Sequence, residues 1–342
     1  GTLILSGSNA WAGTTTISGG TLRGTAASIG GASIVNNAGL VYDQATAGTE
    51  TAAISGTGAV TKLGAGNLIL TGLGTWTGTT TITAGTLTGT TATLGGNGAI
   101  VNNAALVYDQ NANGSEGSAI SGTGSLTKSG TGTVTLAGGT NHGGGTNVLA
   151  GKLVFNQIVP GGIANISAGA SLEQNIGAGT SYVGGATFNG AGTLIKSGVG
   201  ILSSRSLIAL AAGGVIDVQA GVLVGSSDGQ GRFTGNLGSL NIATGAIFST
   251  SEAVTVVDAL TGAGTLRIDA SGSFTAGIAN GSGVFAGVIE NQTSGQPGTF
   301  TKVGSGTQTL SGSNTYTGVT TISGGTLALT GGGSFSTAST AR

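Results

Sequence analysis

The sequence predicts an all-β chain wound as a parallel β-helix, a solenoid of about 15 coils of about 22 residues each. Three observations predict it. Long segments recur at a fixed spacing, short β-type runs alternate with glycine-rich breaks, and the composition supplies a core without supplying charges. Of 342 residues, 38% are hydrophobic but only 6% are charged, against roughly 25% in an ordinary soluble domain. An elongated solenoid coated in Thr, Ser, Asn and Gly tolerates that composition, because neutral polar side chains hydrate its faces.

The recurrence is direct. Val35–Gln44 reads VNNAGLVYDQ and returns at Val101–Gln110 as VNNAALVYDQ, with a single change, Gly39 to Ala105. AAISGTGAVTK, ending at Lys62, returns as SAISGTGSLTK, ending at Lys128. GTLILSGSNAWAGTTTISGGTL from Gly1 to Leu22 returns as GNLILTGLGTWTGTTTITAGTL from Gly66 to Leu87, and as GTQTLSGSNTYTGVTTISGGTL from Gly306 to Leu327. A degraded copy runs from Gly132 to Leu153. The sequence thus reads as one continuous β-helix over 1–330, with repeats near 1–66, 67–132, 133–153 and 298–330 and a divergent middle over 154–297. The polar tail 331–342 is expected to be loosely held. The repeat offset of roughly 66 residues divides into three turns of about 22, within the span of repeat proteins.

Each block carries β-type runs rich in Thr, Val, Ile and Leu with period-two alternation, such as Thr14–Ile17, Leu40–Tyr42 and Val60–Lys62. Gly-rich breaks at Ser18–Gly20 and Gly56–Gly58 supply the positive φ that tight corners need. One coil cannot bury its apolar face alone. Stacking sets Leu, Ile and Val of successive coils in columns, joined by backbone hydrogen bonds about 4.8 Å apart, which makes a rod of roughly 70–75 Å. The chain opens at Gly1 in mid-pattern with no signal peptide and no cap, and reads as an excised or processed fragment. No apolar run approaches the 18 or so residues of a membrane helix. With a net charge of -1 there is no basic footprint for nucleic acid.

The absence of Cys removes disulfides, thiolate chemistry and Cys-ligated zinc. Two motif matches invite a hydrolase reading: HGGG at His142–Gly145 and GSSDG at Gly225–Gly229, with Ser227 in the nucleophile position. His142 is the only histidine, however, and such a site needs another after the nucleophile. We read His142 as an exposed loop residue and Asp228 as a turn residue. The alternative function is a β-helical polysaccharide lyase or hydrolase, which would gather acids on one face of neighbouring coils. Asp43 and Asp109, and likewise Glu50 and Glu116, are repeat equivalents that three coils would hold about 14 Å apart, too far for paired acids. Neither catalytic residues, metal ligands nor a cofactor are predicted, and the chain reads as a non-enzyme. Lys62, Lys128, Lys196 and Lys302 share one local setting and read as a solvent-facing edge that discourages lateral sheet pairing. Trp11, Trp76 and Tyr316 occupy one repeat site. They are the candidate ligand-contact aromatics if exposed to sugars, and otherwise pack over a corner of the coil.

The unit LSGSNTYTGVTTISGGTLAL at Leu310–Leu329, with its copies around Trp11 and Trp76, resembles the passenger-associated transport repeat of autotransporter proteins. The resemblance covers the N-terminal third and the last 40 or so residues well and the middle weakly. It implies a right-handed β-helical passenger on the surface of a Gram-negative bacterium, attached to the outer membrane and secreted through a β-barrel of the parent chain. It also implies a structural or adhesive stalk that aids its own secretion. The expected partners are a host or neighbouring-cell surface, glycan or protein, and a second copy of the chain, with no nucleic acid.

Overall fold

The computed structural model describes residues 1–334 except 10, 97, 158, 184, 227–229, 252, 270–271 and 293–296. The tail beyond 334 and the Ser227–Asp228 pair therefore lie outside the described residues. Every element among the described residues is a β-strand and every pairing is parallel, in a solenoid of about 16 turns. Two compact units divide the chain, Gly1–Val154 and Phe155–Arg342.

In the first unit each coil contributes to three sides. One side is an eight-stranded sheet of Thr2–Ile4, Thr21–Gly24, Gly39–Asp43, Ala59–Leu63, Thr80–Ile82, Ile100–Asn102, Ile120–Gly122 and Thr140–His142, stacked in chain order. A second side stacks Gly48–Glu50, Asn67–Leu70, Thr86–Gly89, Ala105–Asp109, Ser125–Ser129 and Thr146–Val148. The third carries Thr14–Ile17, Ser33–Asn36 and Ala53–Ser55, and higher up Gly114–Glu116 against Thr133–Leu136. Strands alternate inward and outward residues, as period-two patterning requires. The inward residues form columns: Leu22, Leu40, Val60, Thr80, Ile100 and Ile120 on one side, and Leu68, Leu87, Leu106, Leu126 and Thr146 on another. All are buried. Each such aliphatic side chain contributes roughly 1.5–3 kcal/mol, but only once its neighbour coils are in place.

Coil length differs from the sequence expectation in a consequential way. Leu22 pairs with Leu40, and Val60 with Thr80, so each of these coils closes sooner than the expected turn. The repeat that brings Gly1 back as Gly66 is therefore three coils and one further side. The equivalent strands Thr2–Ile4, Asn67–Leu70 and Thr133–Leu136 accordingly sit on three different sides of the solenoid. Asp43 and Asp109 do not share a side either.

The second unit keeps the three sides while its coil length wanders. Leu172, Leu194, Ile216, Leu240 and Leu260 follow one another up one side. The step is longest from Ile216 to Leu240 and shortest from Leu240 to Leu260. The divergent middle is thus the same architecture with variable corners. Aromatic rings fill part of the second unit's interior: Phe274 stacks on Phe300 at 5.8 Å, and Phe300 lies 6.4 Å from Tyr316. Phe233 meets Phe248 edge-on.

Candidate functional site

The decapeptide that recurs almost unchanged is a set of structural fittings. In its first copy Leu40 and Tyr42 point inward and Asn36 and Gln44 hold corners. Asn36 donates from Nδ2 to the Ala59 carbonyl at 2.9 Å, and Asn102 repeats this to Ser125 at 2.8 Å. Gln44 Oε1 accepts from the Ala26 N–H, and Gln110 Oε1 from the Thr91 N–H. Tyr42 donates its hydroxyl to Glu50 Oε2 at 2.9 Å while Glu50 Oε1 accepts the Ala52 N–H at 2.9 Å. Tyr108 and Glu116 reproduce both bonds. Burial raises the Glu50 carboxyl above its ordinary pKa against the pull of those hydrogen bonds. Burial, then the adjacent Glu50 charge, raise the Tyr42 hydroxyl well above its own. Two of the chain's acids are thus core groups that no substrate reaches.

The other described acids for which bonds can be drawn are also engaged. Asp43 pairs with Arg23 at 2.6 Å, and Glu290 with Arg267 at 2.6 Å, each across adjacent coils. Asp258 Oδ1 accepts the N–H groups of Ala279 and Gly281, anchoring a corner. Asp217 accepts from Asn241 and Gln219. Among the described residues no three His, Cys, Asp or Glu side chains converge as a metal site would require.

The four lysines contradict the expectation of a solvent-facing edge. Lys62, Lys128, Lys196 and Lys302 are all buried, because each falls on an inward position of its strand. Desolvation lowers their pKa values, Lys196 to about 8. Asp43 and Asp109 oppose the effect at Lys62 and Lys128. Alternation alone marks these positions as inward, since Lys62 follows Val60 by two residues.

The aromatic site is a tie from a ring to a threonine four residues on, buried at Trp76 and Tyr316 but not at Trp11. Trp76 donates from Nε1 to Thr80 Oγ1 at 2.9 Å and is 1% exposed. Trp11 makes the same bond to Thr15 at 2.9 Å but is 40% exposed. Tyr316 shares a hydrogen bond of 2.5 Å with Thr320 and is fully buried. The indole of Trp76 lies where a Cβ on Gly95 would come within 2.8 Å, so that glycine makes room for it. Only Trp11 keeps a face that a ligand could touch; it borders a hollow of about 250 Å³ with Leu3, Leu5, Ile17 and Leu22.

His142 proves to be the third member of this set. It is buried, not in an exposed loop, and its Nε2 lies 3.0 Å from Thr146 Oγ1, the same four-residue spacing. Aligning the degraded third copy of the repeat places His142 under Trp76. The composition of the HGGG run conceals this. Desolvation lowers its pKa below the ordinary 6.5, against the weaker opposing pull of the Gly145 backbone. The folded chain therefore keeps His142 neutral while the unfolded chain takes up a proton below about pH 6.5, so stability falls as pH drops through that window. The slope is at most about 1.4 kcal/mol per pH unit. Glu50, with its raised pKa, acts in the opposite sense, so the comparison must be with a variant. His142→Tyr, which copies position 316, is expected to flatten the loss of Tm between pH 7 and pH 5 relative to wild type. An identical pH profile would show that His142 is not the source.

Four segments, residues 1–23, 60–88, 126–155 and 300–329, match the passenger-associated-transport-repeat family. Each contains one ring-to-threonine tie, at Trp11, Trp76, His142 and Tyr316 respectively, and the last three each contain one buried lysine. No curated protein and no solved structure matches the chain.

Proposed function

We propose that this chain, an autotransporter passenger β-helix carrying passenger-associated transport repeats, serves as a stalk that spaces, displays and adheres, and that its repeats aid its own secretion. The observation that carries the reading is where the ionisable chemistry lies. Lys62, Lys128, Lys196, Lys302, Glu50, Glu116 and His142 are turned into the core, the outward pairs Arg23–Asp43 and Arg267–Glu290 neutralise each other across coils, and long stretches of the outward rows hold neutral side chains. One row runs Val41, Thr61, Thr81, Val101, Ser121, Asn141 in register beyond Arg23. Another runs Ile69, Thr88, Val107, Thr127, Asn147. Flat rows of this kind, repeated about every 4.8 Å, suit broad contact with a neighbouring-cell or host surface, or with a second copy, better than a catalytic pocket. A β-barrel of the parent chain would hold the stalk at the outer membrane.

The test uses the parent protein displayed on cells. Thr81→Lys with Ser121→Lys should lower adhesion and aggregation severalfold at unchanged display, since each places a hydrated charge on a contact row. Deleting Gly306–Leu327 should lower display itself. Unchanged adhesion would overturn the adhesive role, and unchanged display would overturn the role in secretion.

A further inference from the structure

Four of the chain's five lysines are inside it. Lys62 stacks in register between Tyr42 and Ile82, and Lys128 between Tyr108 and Val148. Lys196 lies between Gln174 and Val218, and Lys302 between Ala276 and Ile322. At the end of each side chain the ammonium turns into a corner lined by main-chain carbonyls. Lys62 Nζ donates to Leu63 at 2.7 Å, Gly64 at 2.8 Å and Ala84 at 3.1 Å. Lys196 Nζ donates to Ser197 at 2.8 Å, Gly198 at 2.8 Å and Ala220 at 2.9 Å. Lys128 reaches Ser129, Gly130 and Ala150, with Gln110 as a fourth acceptor, and Lys302 reaches Val303, Gly304 and Gly324. In every case two acceptors belong to the lysine's own corner. A third comes 22 to 24 residues later, from the corner of the following coil.

Three donors on a point charge match three carbonyls converging from two coils, and a planar guanidinium would not. The bond to the later coil exists only when both coils are folded. We infer that these lysines are tethered cations that clamp consecutive coils together, and that the carbonyl cages they fill are binding sites for a primary ammonium ion. The clamp adds a directional, charge-assisted coupling to the apolar stacking, and coil pairs that carry it should open last.

Lys128→Ala vacates one cage, and amide exchange of residues 129–150 should then quicken by about ten- to a hundredfold, the worth of hydrogen bonds to a charged group. Propylammonium chloride, which replaces the missing atoms, should restore slow exchange. Tetramethylammonium chloride at equal ionic strength should not, having no N–H to donate. Exchange unaltered by the substitution, or restored equally by both salts, overturns the proposal. A second measurement needs no variant. On the folded wild-type chain an amine-acylating reagent should modify Lys152 and spare the other four, whose modification should rise only with unfolding in urea. Modification of the four at the rate of Lys152 also overturns it.

Discussion

Gly122→Val is expected to destabilise the first unit by about 2–6 kcal/mol. Two effects combine. Gly122 has φ of 107°, a region that a β-branched side chain enters only with strain. A Cβ there would also stand 2.2 Å from the Asn102 carbonyl oxygen on the coil below, which is backbone and cannot swing aside. The corner must open, and with it the bond from the Gly124 N–H to the Asn102 carbonyl. Because each coil touches only its neighbours, the damage should appear as rapid amide exchange centred on residues 100–142 rather than uniformly. Gly139 is the internal control: it has open space around it, and Gly139→Ala should change stability by less than about 0.5 kcal/mol. Urea unfolding of the two variants decides the matter. An unchanged midpoint for Gly122→Val would mean that the corners yield far more easily than close-packed backbone should.

The second large effect concerns length. Removing residues 23–87 joins Leu22 to Thr88, two points that are equivalent in the repeat. Leu22 rests on Leu3 as Leu87 rests on Leu68, so the junction recreates pairings already present: Ile4 would meet Thr88 as Ile69 now does. The shortened chain should unfold cooperatively at a urea midpoint near that of the parent, with a denaturant slope reduced in proportion to the surface lost. Removing residues 33–87 instead joins Ala32 to Thr88, and puts Gly89 where Ile34 fills the core. That deletion, though shorter, should abolish the cooperative transition. Equal tolerance of both would mean that the repeat spacing carries no structural information.

The fold is legible in the sequence because the repeat is strong and the alternation is clean. Val35–Gln44 and its copy specify a solenoid by themselves. The coil length is less legible. A repeat of three coils and one side gives the same sequence spacing as three longer coils, and only the pairing of Leu22 with Leu40 distinguishes them. In the middle of the chain, coils of varying length erase the fixed spacing while the backbone keeps its course. The functional residues are misread where charge outweighs periodicity. The four lysines are placed outside by their chemistry, although their two-residue offset from Val60, Leu126, Leu194 and Phe300 places them inside. His142 is misread from its glycine-rich surroundings, when its alignment with Trp76 and Tyr316 is the better guide.

The inward lysines have a consequence for survival outside a cell. A digestive protease that cuts after lysine must draw that side chain into its own recognition slot and straighten the adjoining backbone. Here the side chain is sealed behind a wall of neighbouring coils, and the peptide that follows it is held in a corner. Hydrolysis at Lys62, Lys128, Lys196 and Lys302 must wait for the coils to come apart, so resistance at these four positions, though not at Lys152, follows from the same geometry that binds the ammonium groups.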